Sequence, residues 1–159
     1  MAEKKLSADE LAQIERTFDP ESAFRPTGKS MGFLITAGLV AMSIYHFYAS
    51  GFALIQELTH RGIHLSFVLG LVFLLFSWRK SLSVEIAPKE WYRFDGVPFS
   101  DILLASLGVF AAMYLPLLPS AALAMRVGNP SAGDVFMGSA LLLLTLEASR
   151  RSVGITLPL

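Results

Sequence analysis

The chain has 159 residues, of which 53% are hydrophobic and only 16% charged, and its 13 basic residues balance 13 acidic ones. A soluble domain normally carries about 25% charged residues, so the composition argues against an ordinary soluble globule. The zero net charge leaves no electrostatic footprint for nucleic acid, and the absence of cysteine excludes disulfides, thiolate metal sites and cysteine nucleophiles.

The opening segment predicts a cytoplasmic amphipathic helix. Ser7 and Glu10 have the spacing of a capping box, Leu11 and Ile14 share a face, and Pro20 ends the helix near Phe18. An irregular arm follows to Gly28. About thirty polar residues thus precede the first apolar run and no cleavage site follows, so no signal peptide is expected and the first span serves as its own targeting signal.

Four spans are expected, over about 30–50, 62–78, 99–119 and 130–151. The first is the clearest, because no charged residue occurs between Lys29 and Glu57 and about 20 apolar residues cross a bilayer. Gly51 to Arg61 predicts a short interfacial helix with Phe52, Ile55, Leu54 and Leu58 on one face. The second span ends on Trp78, Arg79 and Lys80, an aromatic and two cations at one boundary. Trp91 and Tyr92 then mix with charged residues in a connection, 81–100, that should rest on headgroups. Pro116 and Pro119 kink or finish the third span. Asn129 as N-cap and Pro130 at the first helical position open the fourth. In that span Asp134 is tolerated near the positive helix start, and Glu147 can pair with Arg150 and Arg151 at i+3 and i+4.

Orientation follows from the cations. Eleven of the 13 Lys and Arg residues lie on the arm, the second loop and the tail, leaving Arg61 and Arg126 on the other side. The positive-inside rule therefore predicts cytoplasmic N- and C-termini. The expected fold class is all-α: an integral membrane four-helix bundle with an N-terminal cytoplasmic amphipathic helix and interfacial helices. Its cytoplasmic arm occupies residues 1–29 and its four-span domain residues 30–159.

Few residues suggest chemistry. His46, His60 and His64 raise a haem, quinone or metal hypothesis, weighed against the simpler one that imidazoles near an interface are cheaply solvated. Glu147 is the one acidic residue deep enough to suggest ion coupling, against a local pair with Arg150 or Arg151. Phosphate loops and nucleophile elbows are absent, so neither an enzyme nor a cofactor is expected. Gly108, Ala112 and Gly138, with Gly38, Ala41, Gly70 and Ala105, suit close helix packing. The interface anchors are Trp78, Arg79, Lys80, Trp91, Tyr92, Arg150 and Arg151.

Two segments resemble a known family, and two more agree with it in layout. FDPESAFRP (Phe18 to Pro26) is similar to the cytoplasmic arm before the first span in TRAP-type carboxylate transporters of the TAXI branch, and LTLEASRRSVGITLPL (Leu144 to Leu159) resembles the end of their small four-helix region. IHLSFVLGLVFLLFSWRK (Ile63 to Lys80) and VPFSDILLA (Val97 to Ala105) agree in layout. The resemblance implies a small, Q-type scaffold subunit in a bacterial cytoplasmic membrane. Its partners would be a large elevator-type membrane subunit, an extracytoplasmic substrate-binding protein and membrane lipids. The complex would import organic anions by sodium symport. In many such permeases the small region continues into the large one, whereas this sequence stops at Leu159; a separately encoded subunit and a piece of a fused permease are the alternatives. No sodium or substrate residue carries over, because no large-subunit motif is present.

Overall fold

The computed structural model describes residues 24–78 and 92–153. The expected N-terminal helix, the first part of the connection after Trp78 (including Arg79, Lys80 and Trp91) and residues 154–159 lie outside them. The described residues form five helices and one small hairpin: α1 (Lys29–Gly51), α2 (Glu57–Leu75), β1 (Arg93–Phe94), β2 (Val97–Pro98), α3 (Phe99–Tyr114), α4 (Ser120–Arg126) and α5 (Ala132–Ser152). The protein is mostly helical, and α1, α2 and α5 are long and apolar enough to cross a membrane.

The four longer helices alternate in direction. Arg25 bonds to Asp101 at the start of α3 and to the carbonyl of Phe76 just after α2, and Arg151 near the end of α5 bonds to both groups. One end of the molecule therefore gathers the start of α1, the end of α2, the start of α3 and the end of α5. We call it the arginine end. At the opposite end α1 finishes beside the first turns of α2, where His46 meets His64; this is the histidine end.

Close packing of α2 on α3 forms the centre. Leu69 and Phe73 of α2 are fully buried, and Ala105, Gly108, Ala111 and Ala112 make the facing side of α3. A Cβ on Gly108 would lie 2.9 Å from Leu69 Cβ, and one on Gly62 would lie 2.9 Å from the Ala112 carbonyl oxygen. Small residues here let two helix backbones approach. Leu144, Ala148 and Arg151 bury one side of α5, whereas α1 buries only Met31 and Ile35. Large apolar side chains elsewhere on α1 and α5, such as Phe33, Phe47, Phe136 and Leu143, are more than 60% exposed. In water such faces would be unstable, since a helix apolar on every side needs cover.

Several boundaries differ from the sequence expectation. No separate helix forms over Gly51 to Arg61; residues 53–56 leave the helical path, and Glu57 to Arg61 are the first turn of α2. Glu57 sits at the positive helix start and pairs with Arg61 four residues on, so a charged turn can extend the apolar helix. The α2 helix ends at Leu75 rather than Trp78, because Phe76 is extended and bridges Phe24. The third expected span stops at Tyr114, leaving 16 residues or about 24 Å. Pro116 has no N–H to give the Ala112 carbonyl, and Pro119 disfavours helical geometry at Leu118. The α5 helix is capped by Ser131, not Asn129, and Pro130 stands before the cap. Ser131 accepts from the Asp134 N–H while Asp134 accepts from the Ser131 N–H, a complete capping box that Asn129 has no acidic residue three positions on to build.

The fold is also not purely helical. Arg93–Phe94 pairs antiparallel with Val97–Pro98 through Asp95 and Gly96, both with positive φ. An Asp-Gly pair is the usual two-residue hairpin turn. This hairpin positions α1: the Asp95 carboxylate accepts from the Met31 N–H at 2.9 Å and its carbonyl from the Gly28 N–H at 2.9 Å. Gly28 makes no side-chain cap of its own, so Asp95 satisfies donors that the local sequence leaves open. A Cβ on Gly28 would overlap the Asp95 side chain. That position needs glycine for a close approach.

Candidate functional site

The densest polar cluster is the ionic knot at the arginine end. Asp101, at the first turn of α3, is 3% exposed. Its Oδ2 accepts from Arg25 Nη2 and its Oδ1 from Arg151 Nη1 at 3.0 Å. Glu147 lies one turn before Arg151 on α5. It is bound fork to fork by Arg150 (Nε to Oε2 2.7 Å, Nη2 to Oε1 2.8 Å), and Arg151 Nε adds a third bond to Oε1 at 2.7 Å. The Arg151 guanidinium also lies over the rings of Phe73 (5.0 Å) and Trp78 (5.3 Å), while Arg150 lies over Trp78 at 4.7 Å. These faces attract a desolvated cation.

Every carboxylate oxygen in the knot is thus engaged by a guanidinium. Neither Asp101 nor Glu147 offers a free oxygen to a substrate or a proton path. Burial pushes the Arg25 pKa down, the hydrogen bond and charge of Asp101 push it up, and Arg151 and Arg93 lower it again; arginine nonetheless stays charged. Two buried donors, Arg25 Nη1 and Arg151 Nη2, have no hydrogen-bond partner. A charged cluster with this geometry holds segments together.

Sequence reasoning missed Arg25 and Asp101, and treated Glu147 as the one deep acid. Asp101 is the more buried of the two: its side chain is 4% exposed against 20% for Glu147. Its signal is a lone carboxylate opening an apolar run that has no further charge until Arg126. Nothing local names its partners, because Arg25 is 76 positions away and Arg151 is 50.

The other expected residues are placed as follows. Trp78 is exposed and its carbonyl accepts from Arg150 Nη2 at 3.4 Å. Tyr92 is exposed, with the Arg93 guanidinium 5.5 Å from its ring. Gly108 and Ala112 lie in the α2–α3 contact. Among the described residues Gly138 has no packing partner: a Cβ there would meet nothing within 4 Å. Arg79, Lys80 and Trp91 lie outside the described residues.

No family model, no curated protein and no solved structure matches this chain. Its own geometry therefore carries the functional argument.

A second cluster occupies the histidine end. His46 Nε2 lies 2.8 Å from His64 Nδ1, His46 Nδ1 lies 2.8 Å from the Met42 carbonyl oxygen, and His60 Nδ1 lies 3.0 Å from the Tyr45 hydroxyl. The His46 ring is 4.9 Å from His64 and 5.6 Å from His60, centroid to centroid. Imidazoles on a shared tetrahedral metal hold their nitrogens about 3.3 Å apart, given bonds of about 2.0 Å. The 2.8 Å contact is instead a direct hydrogen bond, and among the described residues no group of three or more His, Asp or Glu could hold a metal ion. A third cluster closes the α3–α5 connection: Asp134 Oδ1 accepts from Arg126 Nη1 at 2.8 Å and from the Tyr114 hydroxyl at 3.0 Å. The bonds to Tyr114 and Asp134 raise the Arg126 pKa.

Proposed function

We propose that this chain is a small scaffold subunit of a TAXI-branch TRAP transporter in a bacterial cytoplasmic membrane. Four membrane-embedded helices, with both termini cytoplasmic, would brace the large elevator-type subunit while a binding protein delivers an organic anion for sodium-driven import. One observation carries this reading: the two segments that resemble the family and the two that agree with it in layout meet in the ionic knot. FDPESAFRP supplies Arg25, VPFSDILLA supplies Asp101, LTLEASRRSVGITLPL supplies Glu147, Arg150 and Arg151, and the IHLSFVLGLVFLLFSWRK block supplies Phe73, Trp78 and the Phe76 carbonyl. A shared sequence pattern that builds one rigid junction fits a frame.

The engaged carboxylates favour a brace over a self-sufficient carrier, as an ion-coupling acid must exchange its partner during transport. The outward apolar faces of α1 and α5 supply lipid and subunit contacts. The 16-residue α3 lies centrally between α2 and α5, so its shortness is covered by neighbouring helices.

The test is purification of the affinity-tagged chain from its native membranes in mild detergent, followed by mass spectrometry. The brace reading expects a large multi-span permease in near-equal amount. Recovery of this chain as a lone monomer or a homo-oligomer would overturn it.

A further inference from the structure

We propose that the last two turns of α1 are a proton-sensitive latch. The latch is closed while the His46–His64 pair holds at most one proton beyond neutral, and it opens when both imidazoles are protonated. This inference goes beyond the brace reading and does not depend on it.

The mechanics follow from where α1 is fastened. Its two buried side chains, Met31 and Ile35, lie in its first two turns, where the Asp95 side chain also holds its N-terminus. Further along, Gly38 meets Leu71, and Met42 packs against the core. Beyond Met42, the hydrogen bonds and ring contacts to α2 are those of Tyr45 with His60 and Phe67, and of His46 with His60 and His64. Phe47, Tyr48 and Phe52 turn outward and touch one another instead. The polar fastening of the end of α1 to α2 is thus one imidazole pair and one Tyr–His bond.

The proton count follows from the donors. A carbonyl oxygen only accepts, so His46 Nδ1 carries a proton for Met42. Neutral His46 then presents a lone pair at Nε2, and His64 Nδ1–H donates to it. One added proton leaves this bond intact, because the pair still holds one donor and one acceptor across the 2.8 Å gap. A second added proton removes the acceptor and sets two cations in contact. The Tyr45–His60 bond survives either state, since a hydroxyl donates to neutral imidazole and accepts from the cation. A protonated His60 would nonetheless add a third positive charge close to His46.

Among the described residues, no carboxylate bonds to these imidazoles. Glu57, in the first turn of α2, is committed to Arg61, and both are about three-quarters exposed. Tyr48 faces Phe52. On the elements beyond α2, Tyr114, Arg126 and Asp134 bond among themselves. The histidine pair therefore meets acid without a counter-ion. Histidine changes charge between about pH 5 and pH 8.

The absence of native cysteine makes the test direct. Spin labels at Ser50→Cys, in the last turn of α1, and at Leu117→Cys, beyond α3, report the distance between the latch and the body by pulsed EPR in lipid nanodiscs. Both sites are exposed. We expect one short distance near pH 8, and near pH 5 a second population longer by roughly 5 Å, about one helical turn. Gln at position 64 offers both a donor and an acceptor at every pH, so His64→Gln should keep the short distance throughout; His46→Gln is the reciprocal check. An unchanged distribution in the labelled parent, or the same opening in both Gln variants, would overturn the proposal.

Discussion

The two ends of α1 are fastened to the rest of the molecule by opposite means. At the arginine end, charged groups with side chains at most 30% exposed bind one another through every available carboxylate oxygen. At the histidine end, imidazoles and a phenol hydrogen-bond α1 to α2 beside exposed aromatic rings. Breaking a buried ion pair by removing one partner leaves a stranded charge, whereas losing a neutral bond near the surface costs little more than the bond. The difference teaches that removing one partner should cost more at the arginine end than at the histidine pair.

The largest expected effect lies at Asp101. Asp101→Asn leaves the buried Arg25 guanidinium without its carboxylate partner and Arg151 with Glu147 alone, and should cost about 3–5 kcal/mol, read as a lowered denaturation midpoint in detergent. At neutral pH, His64→Gln should cost less than about 1.5 kcal/mol in the same assay. Equal losses from the two changes would erase the distinction between the ends.

Smaller effects sharpen the picture between the ends. Gly108→Val forces a side chain into Leu69 and should cost about 1–3 kcal/mol, while Gly138→Ala meets open space and should be neutral or stabilising by up to about 1 kcal/mol. Thermal unfolding of the two variants checks that α5 and α3 use glycine differently. Ser131→Ala removes the α5 cap and should cost about 1 kcal/mol, with fraying seen as faster amide exchange at the start of that helix. Glu57→Gln breaks only an exposed pair and should change stability by less than about 0.5 kcal/mol.

How much of this was legible depends on the reach of each signal. The Glu147 pair is readable because its partners are three and four residues away on one helix. The His46–His64 contact needed the pairing of α1 with α2, which hydropathy alone does not supply. Arg25 and Asp101 are isolated charges in sequence, and only the assembled fold brings them together. The Asp95–Gly96 turn carries a local signal that the headgroup reading of 81–100 passed over, because its aromatic and charged neighbours dominate the composition. Span lengths were least secure, as Phe76 and Pro116 end helices inside apolar runs that hydropathy reads as continuous.

In the proposed role, this chain braces a transporter without transporting anything itself. Uptake of radiolabelled organic anions into proteoliposomes, with a sodium gradient and the binding protein outside, measures that directly. We predict sodium-dependent uptake when this chain and a large membrane subunit are reconstituted together, and none from this chain alone. Sodium-dependent uptake by this chain alone, or full uptake by the large subunit without it, would contradict the account.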